Sequence, residues 1–341
     1  MYYGITDASL HALVSDGKRG KREDIQYWQC QACGRKVSER YNTLLYRLKT
    51  ASKRVAEVLT ALAEGVDISA ATRIFGHHPS TITRWLTRAG EHGRRLHDHF
   101  FRDFIAEHLQ LDELVARVKA HAEYVYVWTA VEAKTKVLLV VHVGRRKMED
   151  ALAFIHQLKE RLVAGCLPVF TSDGLNHYFY ALTAHFGRWV EASGQRKLAW
   201  QVRPELLYGQ MRKLKSGYRL KRISTRVLCG TRGRMRETLQ AMGLSGKVMT
   251  AFVERLNLTL RELVAPLSRR TWSMAHDEHT LRLHLEWGRA YYHFARPHES
   301  LRLQGPARCR DRTPAMAAGI ARRRWSVHEM ILMPLQPTGG H

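Results

Sequence analysis

At 341 residues the chain is too long for one small core, and its 45% hydrophobic residues can fill two or three domains. Fifty-five Lys and Arg against 31 Asp and Glu give a formal net charge of +24, which makes a polyanion, nucleic acid before an anionic membrane surface, the expected partner. No run approaches the roughly 18 apolar residues of a membrane span, and the first residues lack the basic-then-apolar order of a signal peptide. The five scattered cysteines do not read as a disulfide framework, so a reducing cytoplasm is expected.

Residues 1–50 read as a basic, loop-like segment centred on "WQCQACGRKVSER". Cys30 and Cys33 have the spacing of one zinc knuckle, but a structural zinc takes four ligands. Upstream only His11 could add to them, and downstream nothing nearby does before His77 and His78. The pair is a partial, zinc-ribbon-like element, and weak or absent zinc binding is expected. Helical spacing begins at Ser52, a good N-cap, and Val55, Val58, Leu59 and Leu62 share one face as far as Gly65. A second helix fits 69–75. After the turn Gly76-His77-His78, Pro79 opens a third helix, "PSTITRWLTRAG".

Residues 51–95 thus have the trihelical layout of a helix-turn-helix, whose last helix enters the major groove of DNA. Ile82, Trp85 and Leu86 can face its core. Ser80, Thr81, Thr83, Arg84, Thr87 and Arg88 are left outward as donors to phosphates or base edges. A three-helix bundle packed inside a larger protein would show the same periodicity. A basic, His-rich connector over roughly 91–107 follows.

From about 108 the period becomes that of strands. "HLQLDELVARV", "EYVYVWTAVEA" and "KVLLVVHVG" read as an antiparallel meander. A helix over 148–162, a short strand "LPVF" ending in "TSDG", and a helix from about Asn176 complete a mixed α/β sheet with helices packed on it. Between Arg203 and Arg236 the many basic residues face a single acid, Glu205, and about 203–248 reads as a basic insertion. "TAFVERLNLTLREL" then sets Val253, Leu256, Leu260, Leu263 and Val264 on one helical stripe, with Glu254, Asn257 and Arg261 along its edge. A largely helical tail ends the chain.

Three acids stand out. Asp112 falls in mid-strand, where a bare buried carboxylate is costly. Asp173 sits at a strand-to-helix turn. If their strands are neighbours, the two carboxylates meet, and Glu254 on a helix across the sheet can join them. Such a set can hold two hard divalent cations, which clamp the attacking and leaving oxygens of a phosphoryl displacement. Singly, each acid also reads as an exposed strand charge, a turn-forming Asp-Gly or a helix-flank Glu. Glu113, next along the strand, is expected on the opposite face.

"LQLDEL", "VFTSDGLNHY", "TAFVERLNLTLRE" and "YYHFARPHESL…RTPAMAAGI", in this order behind "GHHPSTITRWL", resemble a DDE transposase of the insertion sequence 1 family over roughly 27–333. The resemblance implies an RNase H-like core with a mixed five-stranded sheet over 106–300 and a tail over 301–341. It also implies Asp112, Asp173 and Glu254 as a triad for two Mg²⁺ or Mn²⁺ ions, and Arg261 as a basic partner near DNA. The implied partner is double-stranded DNA, transposon ends and target, bound by a homo-oligomer in a prokaryotic cytoplasm. Family members usually carry two cysteine pairs near the start, and this chain has one. A helix-turn-helix regulator derived from a transposase and an RNase H-like nuclease without strand transfer are the alternative readings.

Overall fold

The computed structural model describes residues 13–120, 122–191, 198–217, 219–269, 271–304 and 310–335; His11 lies outside them. The N-terminal region, expected as loop, instead forms β1 (Leu13–Arg19), β2 (Ile25–Cys30) and β3 (Lys36–Ser38), an antiparallel sheet in that order. Most side chains of β1 are exposed, so no apolar alternation marks this strand in the sequence.

Three helices follow, α1 (Ser52–Ala63), α2 (Ile68–Phe75) and α3 (Pro79–Phe100). Ser52 is the first helical residue rather than the cap, and its buried hydroxyl bonds Glu23 and His328. Asp67 caps α2 by accepting from the Ala70 N–H at 2.8 Å, and Gly76 ends it at φ 68°. Pro79 opens α3 as expected, but α3 runs on to Phe100 through the stretch expected to be a connector. The reason is a second buried stripe of Ala89, Gly90, Gly93, Leu96 and His97. Gly90 and Gly93 let α3 lie against the later helix Glu278–Phe294 (α8). A Cβ at Gly90 would stand 2.5 Å from the Leu283 carbonyl oxygen, and one at Gly93 2.6 Å from that of Glu286.

The rest of the chain is built as β4 (His108–Ala116), β5 (Val125–Glu132), β6 (Leu138–Gly144), α4 (Met148–Arg161), β7 (Val169–Ser172) and α5 (His177–His185). Then come β8 (Gly187–Glu191), β9 (Leu198–Val202), β10 (Tyr208–Ser216), β11 (Arg219–Cys229), α6 (Arg232–Ala241), α7 (Ala251–Leu263) and α8 (Glu278–Phe294). Two short helices, α9 (Pro314–Ala317) and α10 (Val327–Leu332), end the described chain.

The main sheet has the order β11-β10-β7-β4-β5-β6. Strands β4, β5 and β6 are antiparallel to one another, while β7 is parallel to both β4 and β10. The sheet therefore has six strands, not five. The extra strand comes from the basic stretch, whose residues build the antiparallel pair β10–β11. Long Lys and Arg side chains can lie along a strand with their heads in water, so the usual apolar alternation is hidden. They also suit an edge, because charge discourages pairing with another chain.

One contiguous core runs from Leu44 to Leu335 and joins α1–α3 to the sheet. A smaller cluster, with Val169, Leu207, Met235, Leu239 and Val248, lies under β10 and α6. Among the described residues no helix is long and apolar enough to cross a membrane.

The start of α7 is fixed in an unusual way. Thr250, at the cap position, makes no side-chain capping bond. Gln110 of β4, fully buried, instead accepts from the Phe252 and Val253 N–H groups at 2.9 and 3.1 Å through Oε1. Two of the four orphan donors of the first turn are thus satisfied from the sheet. Gln110→Ala would strand both donors in the interior, and urea unfolding should show a loss of about 2–3 kcal/mol. A loss below about 0.5 kcal/mol would mean that the amide does not hold the helix.

Candidate functional site

β4 and β7 run parallel with Leu111 opposite Ser172, so the next residues, Asp112 and Asp173, emerge side by side. β7 ends at Ser172, and beyond it β4 has no neighbour on that side. That gap explains a departure from strand alternation. Glu113, expected to point away, brings a carboxylate oxygen to the same place. One oxygen each from Asp112, Glu113 and Asp173 lie within 4.8 Å of one another, the one group of three or more potential metal ligands found among the described residues.

Each acid is held differently. Asp112 accepts from Asn257 Nδ2 at 2.8 Å, and Asn257 Oδ1 accepts from the buried Thr129 hydroxyl at 3.1 Å. Thr129 stands opposite Asp112 on β5. Asn257, whose place at the stripe's edge the sequence leaves unexplained, therefore orients Asp112. Glu113 pairs with Arg146 at 2.5 Å and accepts from the Tyr178 hydroxyl of α5 at 3.0 Å. Asp173 accepts from the Leu175 N–H at 3.0 Å, which closes the turn into α5.

Burial pushes the Asp112 carboxyl up to about 7, helped by the negative charges of Glu113 and Asp173. Burial and Asp173 also raise Glu113, opposed by Arg146 and the Tyr178 hydroxyl. Like charges crowded in a poorly solvated corner cannot all ionise cheaply, and a cation relieves both costs.

Glu254 is on α7, on the same side of the sheet as Asn257, and its charge is felt at Asp112. Its carboxylate lies outside the group of three. Lys213 of β10 holds both its oxygens, at 2.5 and 2.6 Å, and the Thr250 hydroxyl adds a third bond at 2.5 Å. Arg212, the residue before Lys213, packs against Gly174 and donates to Asn176 at 3.3 Å. The basic strand β10 thus lines one side of the acids, which charge content alone does not reveal. Arg261, one turn beyond Asn257, is half-buried and donates to the Leu267 carbonyl at 3.1 Å. Burial and Arg269 lower its pKa, while Asp112 opposes them.

The sequence-selected residues of α3 divide. Ser80, Thr83 and Arg84 are exposed and Thr81 is half-exposed. The Ser80 hydroxyl is in hydrogen-bond contact with His78, and that of Thr83 donates to the Pro79 carbonyl. Arg88 turns inward and donates to the Tyr46 carbonyl at 2.7 Å, so this guanidinium is engaged within the chain. Cys30 is buried at the end of β2, and Cys33 is exposed in a turn closed by the Gly34 N–H donating to the Cys30 carbonyl at 2.8 Å.

No protein-family model matches the chain, and no curated protein matches it significantly.

Folding raises the Asp112 pKa from 3.8 to about 7, so the protonated carboxyl favours the folded state. That stabilisation is complete below about pH 4 and is lost as the pH rises through about 7. In chelator, wild type should therefore lose unfolding temperature relative to Asp112→Asn between these limits. Added Mg²⁺ should restore it, most above pH 7. A wild-type-minus-D112N difference that is flat with pH would contradict the crowding of these carboxylates.

Proposed function

We propose that the chain is a Mg²⁺-dependent DNA transposase with an RNase H-like catalytic core, acting on transposon ends and target DNA as an oligomer. The observation that carries this reading is the meeting of Asp112 and Asp173 where parallel neighbours β4 and β7 part, with Glu254 on α7, the helix packed on β4 and β5. Supporting it is the mixed sheet with helices packed on it, in which an antiparallel meander β4–β6 is followed by β7 running parallel to β4. The ordered motifs of the insertion sequence 1 family, a net charge of +24 and an exposed N-terminal half of α3 point the same way.

The donor set fits a hard cation. Oxygens of Asp112, Glu113 and Asp173 lie within 4.8 Å of one another, and burial holds Asp112 partly protonated near neutral pH without a cation. Asp112, Asp173 and Glu254 would hold Mg²⁺ or Mn²⁺, two ions in this reading. Bound there, the ions supply Lewis-acid charge for in-line displacement at phosphorus. In end cleavage water attacks phosphorus and the P–O3′ bond at the transposon end breaks, leaving a 3′-hydroxyl; in strand transfer that hydroxyl attacks a target phosphorus and displaces the target strand's own 3′-oxygen.

The chain's own groups set the stage. Asn257 and Thr129 fix the direction of the Asp112 carboxylate. Arg146 and Tyr178 occupy the Glu113 oxygens, which makes Glu113 a positioning residue. Lys213 is shared between Glu254 and any phosphate that approaches β10, so docking of DNA competes for the lysine and releases the glutamate. Joining two ends requires two active sites, hence the oligomer.

Asp112→Asn, Asp173→Asn and Glu254→Gln should each lower Mg²⁺-dependent end cleavage about a hundred- to a thousandfold. Filter binding of the same DNA should change little, because affinity comes from the basic surface. Glu113→Gln should keep cleavage within about tenfold. Full activity in both D112N and E254Q would exclude the triad.

Arg84 extends from the exposed half of α3. Arg84→Ala should weaken binding to transposon-end DNA about tenfold or more relative to random DNA, as loss of a base-edge contact does. An equal loss on both would make it a phosphate contact, and no loss on either would remove α3 from the interface.

A further inference from the structure

Trp272 is 97% exposed, the most exposed large apolar side chain among the described residues. Two other exposed tryptophans, Trp189 and Trp200, pack edge to face at 5.4 Å. Trp272 has no aromatic or cation-π partner among the described residues. Solvent does not favour a bare indole, and large aromatics left on a basic surface are the usual platforms for nucleobases.

The segment that carries it is pinned at both ends. At its start the Ser268 hydroxyl donates to the Arg261 carbonyl at 2.9 Å, and Arg261 donates to the Leu267 carbonyl at 3.1 Å. At its end Ala275 bridges to Val118 in the extension of β4, and the Lys119 and Ala120 N–H groups bond Ala275 and His276 carbonyls at 2.9 and 2.8 Å. Between them the Ser273 N–H donates to the Thr271 hydroxyl at 3.0 Å. Hydrogen bonds thus hold the described residues on both sides of Trp272.

Its surroundings suit a polyanion. Arg261 and Arg269 precede it, and Lys119 lies beside this segment. The nearby acids are engaged, Asp277 in accepting from the Thr280 N–H at 2.7 Å and Glu278 with Arg145 at 3.7 Å. The segment meets β4 at Val118, six residues beyond Asp112, or about 20 Å along an extended strand.

From this placement, and resting on the DNA-cleaving function proposed above, we infer that Trp272 stacks on an unpaired nucleobase of the strand that passes the carboxylates. Stacking recognises the face of any base, so Trp272 selects unpaired over paired DNA and leaves sequence to other groups.

The test uses the full chain in Ca²⁺, with duplexes that are blunt or carry up to six unpaired terminal nucleotides. Trp272→Ala should weaken binding of the unpaired-end duplexes about tenfold and that of blunt duplexes less than twofold. Trp272→Phe should keep affinity within about threefold, because a smaller ring still stacks. Equal loss on both kinds of DNA, or loss on neither, overturns the inference. So does a change in sedimentation mass of W272A with unchanged affinity, which would put Trp272 between copies of the chain. Selective loss in W272A, together with a wild type that binds but never cleaves DNA, would uphold Trp272 and sink the catalytic reading. A wild type that binds no DNA overturns both.

Discussion

The site depends on how α7 is tied to β4. Gln110 accepts the first N–H groups of the helix, and one turn later Asn257 donates to Asp112, two residues along the same strand. These bonds set the helix in height and rotation against the sheet. Apolar packing by Val253, Leu256 and Leu260 alone would permit a slide of a fraction of a turn. Hydrogen bonds in a buried place do not, because each slipped partner would be left unsatisfied. Glu254 and Arg261 inherit their positions from that fixed helix.

The second constraint is electrostatic. Asp112, Glu113 and Asp173 crowd negative charge where water is scarce, and cations are arranged around them: Arg146 after β6, Lys213 on β10, Arg261 on α7. Lys213 and Arg146 each neutralise a neighbouring acid directly. Asp112 and Asp173 have no such cation bonded to them in the described contacts and rely on Asn257 and the Leu175 N–H. The arrangement leaves the pair between two parallel strands as the place where an added cation gains most. It also shows why a basic strand belongs beside an acidic centre, since it both holds Glu254 and offers charge to a phosphate.

α3 serves two surfaces with one helix. Its first half exposes Ser80, Thr83 and Arg84, and its second half carries the glycines that bring it against α8. Any load on the outward half is passed directly to the helix that lines the main core, because the two halves are one continuous rod. The shared core from Leu44 to Leu335 has the same consequence.

Where apolar periodicity is strong, the sequence by itself was enough: α1, α2, the meander β4–β6, α4, β7 and α7 stand where the side-chain pattern puts them. It also picked out Asp112 and Asp173, since an acid in an apolar strand and an Asp-Gly at a strand end are legible locally. Tertiary structure decided the rest. β10 and β11 are strands because neighbours pair with them, not because their Lys-rich and Arg-rich runs alternate. The length of α3 follows from α8, which covers residues that look like a polar connector. Arg88 turns inward because the Tyr46 carbonyl, 42 residues away, lies within reach. Glu113 joins the acids because β7 ends where it does, leaving an open edge that alternation cannot foresee. Apart from the β10–β11 hairpin itself, the deciding partner is distant in sequence, and spacing along the chain carries no information about it.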